Sequence, residues 1–317
     1  MTTSPALPRV PTSADVAAAA ARLAPWIHRT PVMRVKGPGA RPMVVKLEGM
    51  QRSGSFKMRG ALNKLMLLGR EARRGVVTAS GGNHGLGVTW AGWLLGVPVH
   101  VFLPENCSPW KRAALEGAAA RVRVAGQVYP EAEAAAMAFA EVEGLPFIPA
   151  YDDPDVIAGQ GTAIAELVED APDVGTIVIA VGGGGLASGA VLAAAGRKVV
   201  GVEPYGAPTM HAALRAGKPV RLNDIQSVAA DSLGAGRAGE LTFAICRRGL
   251  DRVELVEDDA IRAAQRWLWE HLRLVYEPGG SAGLAALATG ALDGDPGPVG
   301  ILLCGANTDP AALGGVH

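Results

Sequence analysis

Residues 176–196 carry no charge, and four consecutive glycines, Gly182, Gly183, Gly184 and Gly185, stand near their middle. The stretch is apolar enough to resemble a membrane span, yet each glycine inside a helix costs roughly 1 kcal/mol relative to alanine. Four in a row divide it into a short buried strand, a glycine turn and a helix. Strand followed by helix, repeated, is the pattern of a parallel sheet with helices on its faces. The same alternation recurs along the chain. Strands are predicted at residues 43–47, 76–78, 97–103, 121–124, 176–181, 199–202 and 299–303. Helices are predicted at 13–23, after Gly60, up to Leu95, and at 130–142, 157–168, 186–195 and 258–273. Trp267 and Trp269 cannot share one side of the last of these, so one of them packs. Residues 206–232 and 234–239 read as loops.

A chain of 317 residues is long for one hydrophobic core, so two units are expected. Thirty basic and thirty acidic residues cancel, which argues against nucleic acid or a membrane surface as partner. The N-terminus lacks the basic and apolar segments of a signal peptide. Cys107, Cys246 and Cys304 are far apart and lack metal-ligand spacing, as suits a reduced, cytoplasmic protein. Cys107 and Cys246 read as structural. No zinc-type His/Glu pattern and no Gly-x-Ser-x-Gly elbow is present.

Four places could carry chemistry. Lys57, in Ser53-Gly54-Ser55-Phe56-Lys57-Met58-Arg59-Gly60, is either a solvated charge in a turn or a placed amine of the kind that condenses with aldehydes. The four glycines end a strand and open a helix, where backbone N–H groups and the helix dipole attract an anion; a plain tight turn is the alternative. Ser80-Gly81-Gly82-Asn83-His84 is a second strand-to-helix loop, able to hold a carboxylate or simply to cap its helix. Cys304 ends the last strand, where parallel sheets place ligands, although a buried thiol is often only a small hydrophobe. Glu277-Pro278-Gly279-Gly280-Ser281 is a third glycine-rich entry to a helix.

In this order, these segments resemble the serine/threonine dehydratases and serine racemases, pyridoxal-phosphate enzymes of the tryptophan-synthase β-subunit fold. The matching blocks are Lys46-Leu47-Glu48 with residues 54–61, residues 80–85, Ile157-Ala158-Gly159-Gln160-Gly161-Thr162, residues 182–186, Glu277-Pro278 and residues 304–307. The resemblance implies an α/β, two-lobed, fold-type-II enzyme, each lobe a twisted, mostly parallel sheet flanked by helices. Residues 1–71 and 149–317 would form the large cofactor-binding domain and 72–148 a small mobile one. It implies that Lys57 holds pyridoxal 5'-phosphate as a Schiff base and, once freed, acts as base at the substrate's α-carbon. Phe56 would pack beside the ring, Gly182 to Gly185 with Leu186 would cradle the phosphate, and Asn83 would bond the 3′ oxygen. Glu277 would border the cofactor, Cys304 would meet the pyridine nitrogen, and Ser80, Gly81, Gly82, Asn83 and His84 would receive the substrate carboxylate. The expected activity is β-elimination from a small 3-hydroxy amino acid, threonine or serine first, giving a 2-oxo acid and ammonia. The resemblance also implies homodimers.

The chain departs from the family at informative positions. Gly81 stands where the racemases carry the serine that exchanges a proton on the second face, which leans against racemisation. Glu203 matches a cation ligand of the racemase group, but Thr209 replaces the carboxylate expected six residues later, so no metal is expected. Leu86 replaces a usual glutamine and Ser232 a usual glycine, both near the substrate. The chain ends soon after the last strand, leaving no room for the regulatory domain of the biosynthetic threonine enzymes. The alternatives are a serine-type racemase, a 3-hydroxyaspartate dehydratase, and a silent binding protein that has kept the fold.

Overall fold

The computed structural model describes residues 9–309 except 106 and 108; side chains at 109 and 110 are not described. Among the described residues, nine strands form two sheets: β1 (Val32–Lys36), β2 (Pro42–Leu47), β3 (Val76–Ala79), β4 (Val99–Leu103), β5 (Arg121–Val124), β6 (Thr176–Ala180), β7 (Lys198–Pro204), β8 (Arg252–Val256) and β9 (Val299–Leu303). The larger sheet runs β1-β2-β9-β6-β7-β8 and the smaller β3-β4-β5. Only the β1–β2 pairing is antiparallel. Every residue of β6 and β9 is buried, as apolar strands covered by helices on both faces require.

Helices at Pro154–Asp170, Gly185–Ala193 and Pro278–Ala288 cover the larger sheet. The helix Lys57–Leu68 packs through Met58, Leu62 and Leu65 into a second core, with Val88 of the helix Asn83–Leu95 and Val76, Val101 and Leu103 of the smaller sheet. The two helices approach closely: a Cβ at Gly87 would lie 2.9 Å from the Lys57 carbonyl carbon.

Arg59, two residues beyond Lys57, is fully buried. Its guanidinium donates to Glu48 Oε1 and Oε2 at 2.8 Å and to Glu166 Oε1 at 2.7 Å and Oε2 at 2.8 Å. Lys46 donates to Glu166 at 2.6 Å and to the Thr30 carbonyl. This group ties β2 to the helices Lys57–Leu68 and Pro154–Asp170.

Several elements differ from the sequence reading. Residues 206–232, read as a loop, contain the helix Thr209–Ala216 and a short turn of helix at Ala230–Leu233. Glu203 caps the first of these, accepting from the Met210 and His211 N–H groups at 2.8 and 2.9 Å from the end of the preceding strand, β7. Strands β1 and β8 and the helices Pro109–Gly117 and Glu240–Gly249 were not expected. The helix from Asp258 is regular to Trp267 and then widens into a π-turn, Leu268–Leu272. Trp267 packs on the core and Trp269 is exposed. Among the described residues, no helix is long and apolar enough to cross a membrane.

Candidate active site

The carboxyl ends of β9, β6 and β3 carry Cys304, the four glycines and Ser80, and all of them line one cavity of about 470 Å3. This is where open parallel sheets bind ligands, and the volume suits a cofactor or small molecule. Lys57 reaches the same cavity because the preceding loop is pinned across the end of β9. Ser55 bridges Gly305, and the Phe56 N–H donates to the Cys304 carbonyl at 3.1 Å. The lysine then opens its helix, with Nζ donating to the Ala150 carbonyl at 2.8 Å. Burial, only partly opposed by Cys304 and Glu277, pulls its pKa down to about 8, so a substantial neutral fraction exists near neutrality.

The glycine loop faces the cavity with its backbone. Gly184 has φ of +96°, which favours glycine. The Gly183 carbonyl is turned away, accepting from Thr242 Oγ1 at 2.8 Å. The helix that begins at Gly185 leaves its first N–H groups without helical partners. Bulk is excluded: a Cβ at Gly183 would lie 2.5 Å from the Tyr151 ring, and one at Gly185 2.9 Å from Tyr151 Cβ. The loop therefore has the form of an anion cradle. Leu186, the next residue, also lines the cavity, as does Phe56, whose ring lies 5.3 Å from Lys57 Nζ.

On the other side, Asn83 donates to Glu277 Oε1 at 2.5 Å and accepts from Asn307 Nδ2 at 2.6 Å. These two bonds fix the amide's orientation. Glu277 opens the helix Pro278–Ala288; burial raises its carboxyl to about 7 against the opposing Asn83 bond. The Cys304 thiol donates to the Gly279 carbonyl at 3.8 Å, and burial pushes its pKa well up. Ser80 Oγ accepts from the Gly82 N–H at 3.2 Å, so it shapes the loop before the helix Asn83–Leu95. His84 is buried, donates from Nε2 to Ile148 at 3.0 Å, and is pushed down by burial to about 3; it is neutral, with Nδ1 an unpartnered acceptor.

The residues given a cofactor or substrate-carboxylate role from the sequence line this one cavity: Phe56, Lys57, Ser80, Gly81, Gly82, Asn83, His84, the four glycines, Leu186, Glu277 and Cys304. Ser232 lines it too, whereas Leu86 lines a smaller pocket that shares Gly81, Gly82 and Asn83. The structure adds Tyr129, Tyr151, Lys111 and residues 230–236. Cys107, read as structural, also lines it, whereas Cys246 is fully buried in the core. Tyr151 had a usable signal: Phe147, four residues earlier, bridges β3 in parallel, so Tyr151 too follows the carboxyl end of an extended segment. Glu203 faces the helix Thr209–Ala216, not the cavity, and no group of three or more His, Cys, Asp or Glu among the described residues could hold a metal.

The amine and the anion cradle in one cavity fit a phosphorylated aldehyde. The family pattern described as pyridoxal-phosphate dependent enzyme matches residues 23–305. An L-threonine ammonia-lyase of Geobacter sulfurreducens is 40% identical over 273 residues, covering 84% of this chain and 68% of that protein. A phenylserine dehydratase of Ralstonia pickettii is 36% identical over 314 residues, covering 96% and 95%. The structure of maize serine racemase superimposes with a TM-score of 0.92 at 32% identity, covering 97% of each chain. The chain is therefore a member of the pyridoxal-phosphate dependent enzyme family.

Proposed function

We propose that the protein is a pyridoxal-phosphate-dependent ammonia-lyase that dehydrates and deaminates a 3-hydroxy amino acid of the threonine and serine type to a 2-oxo acid and ammonia. The observation that carries this reading is a lysine amine lowered to about 8 in the same cavity as the glycine cradle. When bound, pyridoxal phosphate supplies an aldehyde for amine condensation and a conjugated ring that withdraws electrons from the α-carbon.

The chain's own groups do the rest. The N–H groups of residues 183–186 hold the phosphate at a helix N-terminus. Asn83, its carbonyl occupied by Asn307 and one N–H by Glu277, keeps a second N–H for the ring's 3′ oxygen. The loop of Ser80 to His84 takes the substrate carboxylate on backbone N–H groups and the Ser80 hydroxyl. Lys57 Nζ, neutral in part near pH 8, takes the α-proton. Cys304 already donates to Gly279, and a thiol is a poor group for keeping a ring nitrogen protonated. Negative charge then leaves most easily with the β-hydroxyl.

Racemisation needs a second proton carrier. Gly81 supplies none, and a Cβ there would lie 2.8 Å from Cys107 Sγ. Residues 72–148 act in this reading as a unit that closes over the remainder. In support, Lys111 on the helix Pro109–Gly117 pairs at 2.7 Å with Asp231 across the cavity mouth.

The test is direct. Purified protein with added cofactor should absorb in the visible, and threonine or serine should yield 2-oxo acid without accumulation of the D-enantiomer. Lys57→Ala should lose both signals. A wild-type protein that stays colourless and inert towards both amino acids refutes the reading; persistent D-serine formation replaces it with a racemase.

A further inference from the structure

The cradle accounts for the cofactor's tail, and the Ser80 loop for one carboxylate. A third part of the lining is left over, a wall made by Pro104, Cys107, Tyr129 and residues 234–236. We infer that this wall reads the substituent on the substrate's β-carbon and selects a bulky, uncharged one, above all an aromatic ring, over an acidic one. The inference rests on the elimination chemistry proposed above and names its substrate class.

Three observations converge. First, the wall is apolar where it could have been charged. Tyr129 presents a ring, Pro104 a saturated ring, and Cys107 a thiol that burial pushes towards its neutral form. Second, the rest of this wall is small: Gly234, Ala235 and Gly236. A Cβ added at Gly236 would meet no atom within 4 Å. Space beside an aromatic side chain suits a second ring, since offset or edge-on pairs of rings attract beyond their buried area.

Third, the charges around the wall oppose a second carboxylate. The Tyr129 hydroxyl donates to Glu133 at 3.0 Å, which places an acidic group behind the ring. Two cations of this region already have acidic partners. Lys111 pairs with Asp231 at 2.7 Å, and Arg237 pairs with Glu240. A β-carboxylate here would have to compete with Asp231 or Glu240 for these cations or sit beside Glu133 and Asp231 unneutralised, and like charges disfavour each other.

The experiment compares kcat/KM for L-threonine, L-threo-3-phenylserine and L-threo-3-hydroxyaspartate, read as 2-oxo acid. It is paired with binding of L-phenylalanine and L-aspartate, which lack the leaving hydroxyl, followed by perturbation of the visible band of the cofactor-loaded protein. Phenylserine should exceed hydroxyaspartate by about tenfold or more, and L-phenylalanine should bind more tightly than L-aspartate. Tyr129→Ala should lower the phenylserine-to-threonine ratio about tenfold, while Tyr129→Phe should keep it. Glu133→Gln should raise the hydroxyaspartate-to-threonine ratio several-fold. Hydroxyaspartate turned over as well as phenylserine overturns the inference. So does a Tyr129→Ala protein slowed equally on all three substrates. Turnover of threonine with L-aspartate bound as tightly as L-phenylalanine refutes the wall alone. No 2-oxo acid from any substrate, with L-phenylalanine still preferred, refutes the elimination chemistry and supports the wall.

Discussion

Arg59 and Lys57 stand two residues apart at the start of one helix, Arg59 fully buried and Lys57 half-buried at the cavity, and their surroundings treat them in opposite ways. Around Arg59, two acids and a second cation, Lys46, complete a neutral set in which the guanidinium meets both carboxylates in pairs of short bonds. Burial works against Arg59, but Glu48 and Glu166 outweigh it and its pKa rises; Glu166 is held low by Arg59 against the same penalty. Lys46 alone is pulled down by burial despite Glu166. Around Lys57 the partners are a carbonyl oxygen, a thiol and a carboxyl that is itself pushed towards neutrality. Desolvation therefore wins, and both Lys57 and Glu277 titrate near the working pH. The same kinds of residue serve as a rivet where the charges are matched and as reagents where they are left unmatched.

The sharpest way to break this contrast is Lys57→Ala. Turnover should fall by at least about 10⁴-fold, since the group that both holds the cofactor and moves the proton is gone. Urea unfolding of the cofactor-free variant should show no loss of stability. A large loss of stability would make Lys57 a second rivet.

A matched pair of substitutions sharpens the point. Glu48→Gln removes charge from the complete set and leaves Arg59 partly uncompensated, so stability should drop by roughly 3 kcal/mol in urea unfolding. Glu277→Gln keeps shape where charge was already disfavoured. It should change stability below about pH 4.5, where the carboxyl is neutral folded and unfolded, by less than about 1 kcal/mol, while turnover at about pH 8, where the carboxyl is largely ionised, falls about tenfold because the Asn83 amide loses a charged acceptor.

The smallest effects are in the pH dependence of the cofactor-free protein. Glu277 rises from an ordinary 4.5 to about 7 on folding, so its contribution is fully present below about pH 4.5 and is lost as pH rises to about 7. Lys57 falls from 10.5 to about 8, so its contribution is present above about 10.5 and is lost as pH falls to about 8. Stability measured across pH should carry both slopes. Glu277→Gln should flatten the first and Lys57→Met the second; curves that superimpose on the wild type would show that neither group is perturbed.

The ease of reading each element from the sequence follows its place in the fold. Central strands such as β6 and β9 are buried on both faces and appear as plain apolar runs. The unexpected strands, β1 and β8, are the two edges of the larger sheet, half-buried and interrupted by Arg34, Arg252 and Glu254, so they lack that signature. The helix Thr209–Ala216 has its Met210 and His211 N–H groups capped by Glu203, from the end of β7, and a carboxylate that far ahead of a helix is no ordinary capping signal. Tyr129 and Lys111 reach the cavity from helices packed beside the smaller sheet, and neither sits in a motif.

By itself the sequence determined the alternation of strands and helices and the backbone-dependent features. Four adjacent glycines can do little but form a turn with exposed N–H groups, and a lysine after Ser-Gly-Ser-Phe is confined to the start of a helix. Only the tertiary structure decided which charges were neutralised and which were not. Burial and pairing depend on groups brought from distant parts of the chain: Glu166 to Arg59, and Ala150 and Glu277 to Lys57.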